Sequence, residues 1–298
     1  MTTTIPMRFV IAPSGFKESL DAESVAAAMA AGIRRVLPGA HVDTVPLVDG
    51  GEGSAKTLAA ATDGEIVPAT VTGPVGRPVE SHFAVLGGPA DAPRTAFVEM
   101  AAAAGLRLVP NDERDPGYTT TYGVGELITA ALDAGCRRIL VGCGDSGTSD
   151  GGAGALRALG ARVLGPDGEQ VADGGYALAD AIDLDVSGVD PRLAETEILV
   201  ACNQHNVLTG DNGVARIFGP QKGATEEQVG LLEKGLTQWA KLIEYRCDRD
   251  VRTAPGTGAS GGLGAGLAGV LGARLLPRFD VLLDHVDLDS KLAGATWC

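Results

Sequence analysis

The 298-residue chain has few aromatic side chains (4%) and few basic ones, with 24 Lys and Arg against 38 Asp and Glu. Scarce aromatics argue against a large protein-recognition surface, since Trp and Tyr usually anchor such surfaces. The formal charge of −14 argues against a nucleic-acid partner, because duplex binding needs a basic patch that displaces counterions. Cys136, Cys143, Cys202, Cys247 and Cys298 include no Cys-x-x-Cys pair. They read as reduced thiols rather than a disulfide framework. Met1-Thr-Thr-Thr-Ile-Pro6 has neither a basic start nor an apolar core, so no signal peptide is read there. The most apolar run, Gly261 to Leu276, is glycine-rich and interrupted by Arg274, a poor bilayer span. These absences predict a soluble, cytoplasmic protein with no membrane partner.

What the chain has in quantity is glycine, 43 residues, which suits tight strand-to-helix turns and close approach of backbone to a ligand. Short apolar runs alternate with amphipathic segments, the pattern of an α/β fold built on a parallel sheet. Arg8 to Ala12 reads as a buried strand. Asp21 caps the following helix, with Val25, Met29, Ile33 and Val36 on its apolar face and Pro38-Gly39 as its stop. A strand near Val42 to Val48 leads into Asp49-Gly-Gly-Glu-Gly53. From Ile66 to Met100 the texture becomes β-rich with Gly-Pro turns, which places a domain boundary near residue 70. Thr121 opens a helix that Gly135 stops. Arg138 to Cys143 and Ile198 to Cys202 read as strands. Thr225-Glu-Glu-Gln228 is a capping box, opening a helix with Val229, Leu232, Leu236, Trp239 and Ile243 as an apolar stripe.

Two loops echo each other. Asp49-Gly-Gly-Glu-Gly53 and Asp150-Gly-Gly-Ala-Gly154 each follow an expected strand and precede a helix. Such glycines let backbone N–H groups converge on an anion at a helix N-terminus. The entering aspartate can hold Mg²⁺ or take a proton from a substrate hydroxyl; equally, it can cap the helix. Their joint place at sheet ends favours a ligand site. Gly256 to Gly266 reads as a loop able to wrap nucleotide phosphates, although tight helix packing would select the same small residues. Lys222, in Phe218-Gly-Pro-Gln-Lys-Gly-Ala-Thr225, precedes a helix and suits a phosphate contact. Lys17 stands between the first strand and first helix.

Gly142-Cys-Gly-Asp-Ser-Gly147, with Asp167 further on, imitates a dinucleotide fingerprint. An NAD(P)-dependent oxidoreductase is disfavoured because Thr-Ser-Asp-Gly-Gly intervenes before any helical sequence. A Walker A motif is absent, zinc spacing is absent, and Ser14 and Ser146 lack a His/Asp relay. A non-catalytic binding module is the third class of reading.

The ordered set of motifs resembles the class I glycerate kinase family over nearly the whole chain. It comprises Val10-Ile-Ala-Pro13, Phe16-Lys17, Pro46 to Gly53, Thr70 to Pro74, Val98-Glu-Met-Ala-Ala102, Thr119 to Glu126, Ser149 to Gly154, Leu208-Thr-Gly210, Phe218 to Ala224 and Gly261 to Gly264. The resemblance implies two α/β domains, one (71–277) inserted into a discontinuous parallel-sheet domain (1–70 plus 278–298) that looks incomplete at its C-terminal end. It implies ATP and Mg²⁺ as partners in phosphorylation of D-glycerate to 2-phosphoglycerate.

Departures from the family pattern fall in the substrate loops. Acids give way to Ser14, Asn203 and His205, while Asp145 is new. Another polyol, sugar-like or cyclitol alcohol is therefore the alternative acceptor. Phosphoryl transfer asks mainly for positioning and charge neutralisation. Lys17 and Lys222 are expected at phosphate or carboxylate, Asp49 and Glu52 near the metal, and Asp150 at the acceptor hydroxyl. Gly261, Gly262 and Gly264 are expected against nucleotide. Family members continue beyond the equivalent of Leu292-Ala293, so the chain is expected either to associate through an open sheet edge or to be weakly active and poorly soluble.

Overall fold

The computed structural model describes residues 7–16, 19–286 and 288–298. A small unit comes first: β1 (Arg8–Ile11), α1 (Ala22–Val36) and β2 (His41–Thr44). β1 and β2 are parallel, so α1 must cross over between them. Asp21 caps α1 as expected, its carboxylate accepting the Ser24 N–H at 2.7 Å. The buried face differs from the expected one. Val25, Ala26 and Ala30 are buried while Met29 and Val36 are 49% and 78% exposed. Alanines let the helix sit close to Ile11, and close approach wins over side-chain size. The last residues of the chain run alongside β1, where the Val10 N–H donates to the Trp297 carbonyl at 3.0 Å.

The larger body begins with α2 (Ser54–Ala61), β3 (Glu65–Thr72), β4 (Pro78–Leu86) and β5 (Thr95–Glu99). It continues through α3 (Ala101–Ala104), α4 (Tyr122–Asp133), β6 (Arg138–Gly142), α5 (Ala153–Ala158), β7 (Arg162–Leu164), β8 (Asp183–Asp185) and β9 (Glu197–Cys202). α6 (Val214–Phe218), α7 (Glu226–Cys247), α8 (Ala259–Leu271), β10 (Arg274–Pro277), α9 (Arg278–Leu282) and α10 (Leu288–Leu292) complete it. Six strands form one sheet in the order β10-β9-β6-β5-β4-β3.

That sheet is mixed, not wholly parallel. β3-β4-β5 is antiparallel and β5-β6-β9-β10 parallel. The cause is the tight turn after β3, where the Gly73 N–H donates to the Arg77 carbonyl at 2.7 Å. A turn that short can only return the chain antiparallel. Residue 70, the expected boundary, falls within β3, and Arg278 opens α9.

Alternating residues supply the two faces of the sheet. Val98 and Val141 face Leu127, Ile128 and Leu263. Phe97 and Leu140 face Leu58 of α2 and Leu282 of α9. The expected stripe of α7 is fully buried, from Val229 through Trp239 to Ile243. Its Thr225/Gln228 capping box is formed.

Candidate active site

Four parallel strands end side by side, and their carboxyl ends build the site. The register places Pro277 opposite Cys202, Ala201 opposite Gly142, and Gly142 opposite Glu99. The residues just beyond these ends therefore meet: Arg278 after β10, Asn203 after β9, and Cys143-Gly144-Asp145-Ser146 after β6. In open α/β sheets this is where ligands bind. A cavity of about 270 Å³ opens there, lined among others by Asp145, Ser146, Asn203, Asn206, Lys222 and Arg278. A larger hollow of about 370 Å³ lies elsewhere, by Asp112, Glu113 and Asp115. The charged part of its wall is mostly acidic, with Arg114 among those three acids.

Lys222 is only 2% exposed. Its Nζ donates to Ser146 Oγ at 2.9 Å and to the Thr148 carbonyl at 2.5 Å. These bonds hold the Lys222 amino group in the wall of the cavity. Gly261 supports this arrangement. A Cβ there would stand 1.9 Å from the Thr148 carbonyl oxygen. Ser260, Gly261 and Gly262 all have left-handed backbone, with φ of 51°, 71° and 92°. The segment expected as an open loop over 256–266 is a turn as far as Gly262, and regular helix follows only from Leu263. Gly261 lines the cavity. Gly262 and Gly264 instead pack on backbone, their notional Cβ atoms 2.8 Å from Gly151 Cα and 2.4 Å from the Gly256 carbonyl. The small residues there serve helix packing.

The first acidic loop lies beside the cavity. Asp49 Oδ1 accepts the Gly51 N–H at 3.0 Å, and Asp145 Oδ2 accepts the Glu52 N–H at 3.1 Å. Glu52 also meets Arg107 at 3.4 Å. Asp145 adopts φ 49°, a conformation tolerated best by Asn and Asp among side chains. Gly51 has to be glycine, since a Cβ would meet Asp145 Oδ2 at 2.3 Å. Behind the loop stands Glu99, 3% exposed. It accepts the N–H groups of Gly53 at 3.1 Å and Ala55 at 3.0 Å. Burial pushes its carboxyl up to about 7, against the lowering effect of those two bonds. Glu99 has no expected role from the sequence beyond its place in Val98-Glu-Met-Ala-Ala102; a carboxylate closing the apolar strand Ala96-Phe-Val-Glu99 is the signal for it.

The second loop has a different fate from its echo. Asp150 is 1% exposed. Its Oδ2 accepts from Thr121 N–H, Thr121 Oγ1 and Gly154 N–H at 2.8, 2.8 and 3.1 Å, and its Oδ1 from Gly152 N–H at 3.0 Å. All four of these donors belong to the protein itself. Asp150 ties α4 to α5 through these bonds and is not among the residues that line the cavity. Burial still pushes its carboxyl upward. Thr121, expected as a side-chain cap of its own helix, bonds Asp150 and the Ala155 N–H instead. Trp239 Nε1 donates to the Gly151 carbonyl at 2.9 Å, sealing the loop.

The remaining expectations divide. Asn203 lines the cavity, and its Oδ1 accepts the His205 N–H at 3.0 Å. His205 is exposed and Ser14 half-buried, and neither lines that cavity. Lys17 lies outside the described residues. Gly147 opens no helix; α5 starts only at Ala153, as the case against a dinucleotide fingerprint required. Cys143 borders the cavity, but burial pushes its thiol up to about 12, which leaves it protonated and inert. Arg278, which carries no local motif, and Asn206, which ends the Ala201-Cys-Asn-Gln-His-Asn206 segment, were not among the expected site residues.

Comparison with known proteins agrees with this geometry. The model of the glycerate kinase family matches residues 9–298. Glycerate kinase of Bacillus subtilis (strain 168) is 46% identical over 289 residues, 97% of this chain and 75% of that protein. Glycerate 2-kinase of Escherichia coli (strain K12) is 44% identical over 290 residues, with the same two coverages, 97% and 75%. A crystal structure assigned to glycerate kinase 2 of Salmonella typhimurium LT2 superposes with a TM-score of 0.81 at 45% identity, covering 98% of this chain and 77% of that one. The class is thus an α/β phosphotransferase with an alcohol group as acceptor. The chain belongs to the glycerate kinase family.

Proposed function

We propose that this chain transfers the γ-phosphoryl group of ATP to a hydroxyl of D-glycerate, giving 2-phosphoglycerate. The observation that carries the reading is the buried Lys222 ammonium in the wall of a cavity at the parallel strand ends. Phosphoryl transfer is catalysed chiefly by positioning and by charge placed where the transferring oxygens lie. Lys222 supplies that charge, and Ser146 and Thr148 hold it in place. Gly261 leaves room for the Thr148 carbonyl that holds the Lys222 Nζ.

Mg²⁺ suits the residues present. Among the described residues no group of three metal-ligating side chains converges. Mg²⁺ typically uses only one or two carboxylates beside substrate phosphates and water, and Glu52 and Asp145 meet that demand. Bound there, it would neutralise phosphate charge. Asp49 keeps its second carboxylate oxygen clear of donors among the described residues, so it replaces Asp150 as the group that accepts the hydroxyl proton. Asn203 presents its amide N–H groups to the acceptor. Asp150 acts at one remove, by holding the loops beneath the site. We place the reaction in the cytoplasm, and we retain the division into a discontinuous first domain and an inserted second one.

Purified protein is expected to gain thermal stability from Mg-ATP and not from NAD(H) or NADP(H), since a ligand that binds only the native state stabilises it. ADP release should depend on added D-glycerate. Stabilisation by a nicotinamide cofactor alone overturns the proposal. So does robust ADP release with cyclitols or sugars and none with glycerate.

A further inference from the structure

The cavity has a second cation, and its surroundings differ from those of Lys222. Arg278 is the first residue past β10, and the Pro277–Cys202 register sets it beside Asn203, the first residue past β9. Neighbouring strands lie about 4.8 Å apart, so these two side chains leave adjacent points on the same rim. Both line the cavity, with Asn206 next to them. Arg278 is half-buried and stacks on the Phe279 ring, Cζ 4.9 Å from its centroid. Among the described residues it meets no carboxylate.

The acids of the site are on the other side. Asp145 follows β6, and Glu52 contacts Asp145. In the strand order β10-β9-β6, Arg278 is two strands from β6. The rim therefore has an acidic end, which suits a cation shared with phosphates, and an end with a guanidinium and amides but no acid. A guanidinium offers parallel N–H donors that match a carboxylate. The cavity, about 270 Å³, is below the roughly 300–1,000 Å³ of common small-ligand sites. It accommodates a three-carbon acid next to a terminal phosphoryl group, not a whole nucleotide.

We propose that Arg278 is the specificity-determining residue that binds the carboxylate of the hydroxy-acid acceptor, with Asn203 and Asn206 donating to the same end of the substrate. This rests on the kinase reading above and names which residue makes an acid, rather than a neutral polyol, the preferred acceptor.

The test uses the full chain, with Arg278→Met and Arg278→Lys, and D-glycerate and glycerol as acceptors. Glycerol has the same three-carbon skeleton without the carboxylate. For Arg278→Met the KM for glycerate should rise about 30-fold or more, as loss of a charge-assisted pair demands. The KM for Mg-ATP should stay within about twofold, and the preference for glycerate over glycerol in kcat/KM should shrink by the factor lost on glycerate. Arg278→Lys, which keeps the charge without the fork, should fall between. An unchanged glycerate KM, or a rise confined to Mg-ATP, overturns the assignment; the latter would mark a phosphate contact. If the wild type turned over no glycerate, the function itself would fail. Calorimetric binding of D-glycerate would still read Arg278, with affinity at least tenfold weaker in Arg278→Met expected and equal affinity overturning it.

Discussion

Glu99, at the end of β5, accepts the backbone N–H of Ala55 at 3.0 Å and so caps a helix to which it does not belong. The N-cap of α2 is Gly53, whose left-handed backbone (φ 89°) comes without a side-chain cap. Orphan N–H groups at a helix start need a partner, and here the sheet provides it. The acidic loop of the site is thereby fastened to the strand beneath.

Glu99 predicts a definite pH dependence. Its carboxyl is raised to about 7 from 4.5 by burial, so the native state holds a proton that the unfolded state releases first. This contribution to stability is complete below about 4.5 and is lost as pH rises through about 7. Between those limits the wild type should lose roughly 3 kcal/mol relative to Glu99→Gln, which cannot ionise. At pH 5 the variant should be the less stable, because its amide turns an N–H toward a backbone N–H. Urea unfolding at pH 5 and pH 8 measures both. Parallel curves for the two proteins would refute the assignment.

Asp150→Asn should act on stability. One amide oxygen can replace Oδ1 at Gly152, but the NH₂ would face the donors of Thr121 and Gly154. A loss of about 2–4 kcal/mol in urea unfolding is expected. Preserved stability with turnover lowered about 100-fold would restore Asp150 as an acid–base group.

Lys222→Met keeps the aliphatic bulk and removes the charge. Turnover should fall about 100-fold or more, while the circular dichroism spectrum stays native. Activity within a few-fold of wild type would remove Lys222 from the phosphoryl-transfer site.

Two glycines should respond with opposite sign to alanine. At Gly262, with φ 92°, a Cβ would lie 2.7 Å from Leu208 Cδ1 and 2.8 Å from Gly151 Cα, so Gly262→Ala should cost about 2 kcal/mol or more. Gly230 is inside α7 with nothing within 4 Å of a Cβ. Gly230→Ala should stabilise by about 0.5–1 kcal/mol. Thermal melts of both variants decide the pair.

The helix α7 was readable from the chain alone. Its capping box and its apolar stripe are both local, set by backbone geometry within a few residues. The α/β class, a strand from Arg138 that ends within one residue of Cys143, and the failure of Gly147 to open a helix were readable for the same reason. The roles of Asp49 and Asp150 were not. Each begins an Asp-Gly-Gly-x-Gly loop, and nothing within either loop says which will be enclosed. Trp239 and the glycines of α8 close over Gly151, while Asp49 stays half-buried at the rim. Arg278 was silent too, since its position depends on the register of β10 against β9. Turns, caps and periodicity follow from short-range sterics, which the residue order already contains. Which carboxylate is sealed and which arginine faces the cavity depends on segments far apart in the chain being buried together, and only tertiary packing decides that.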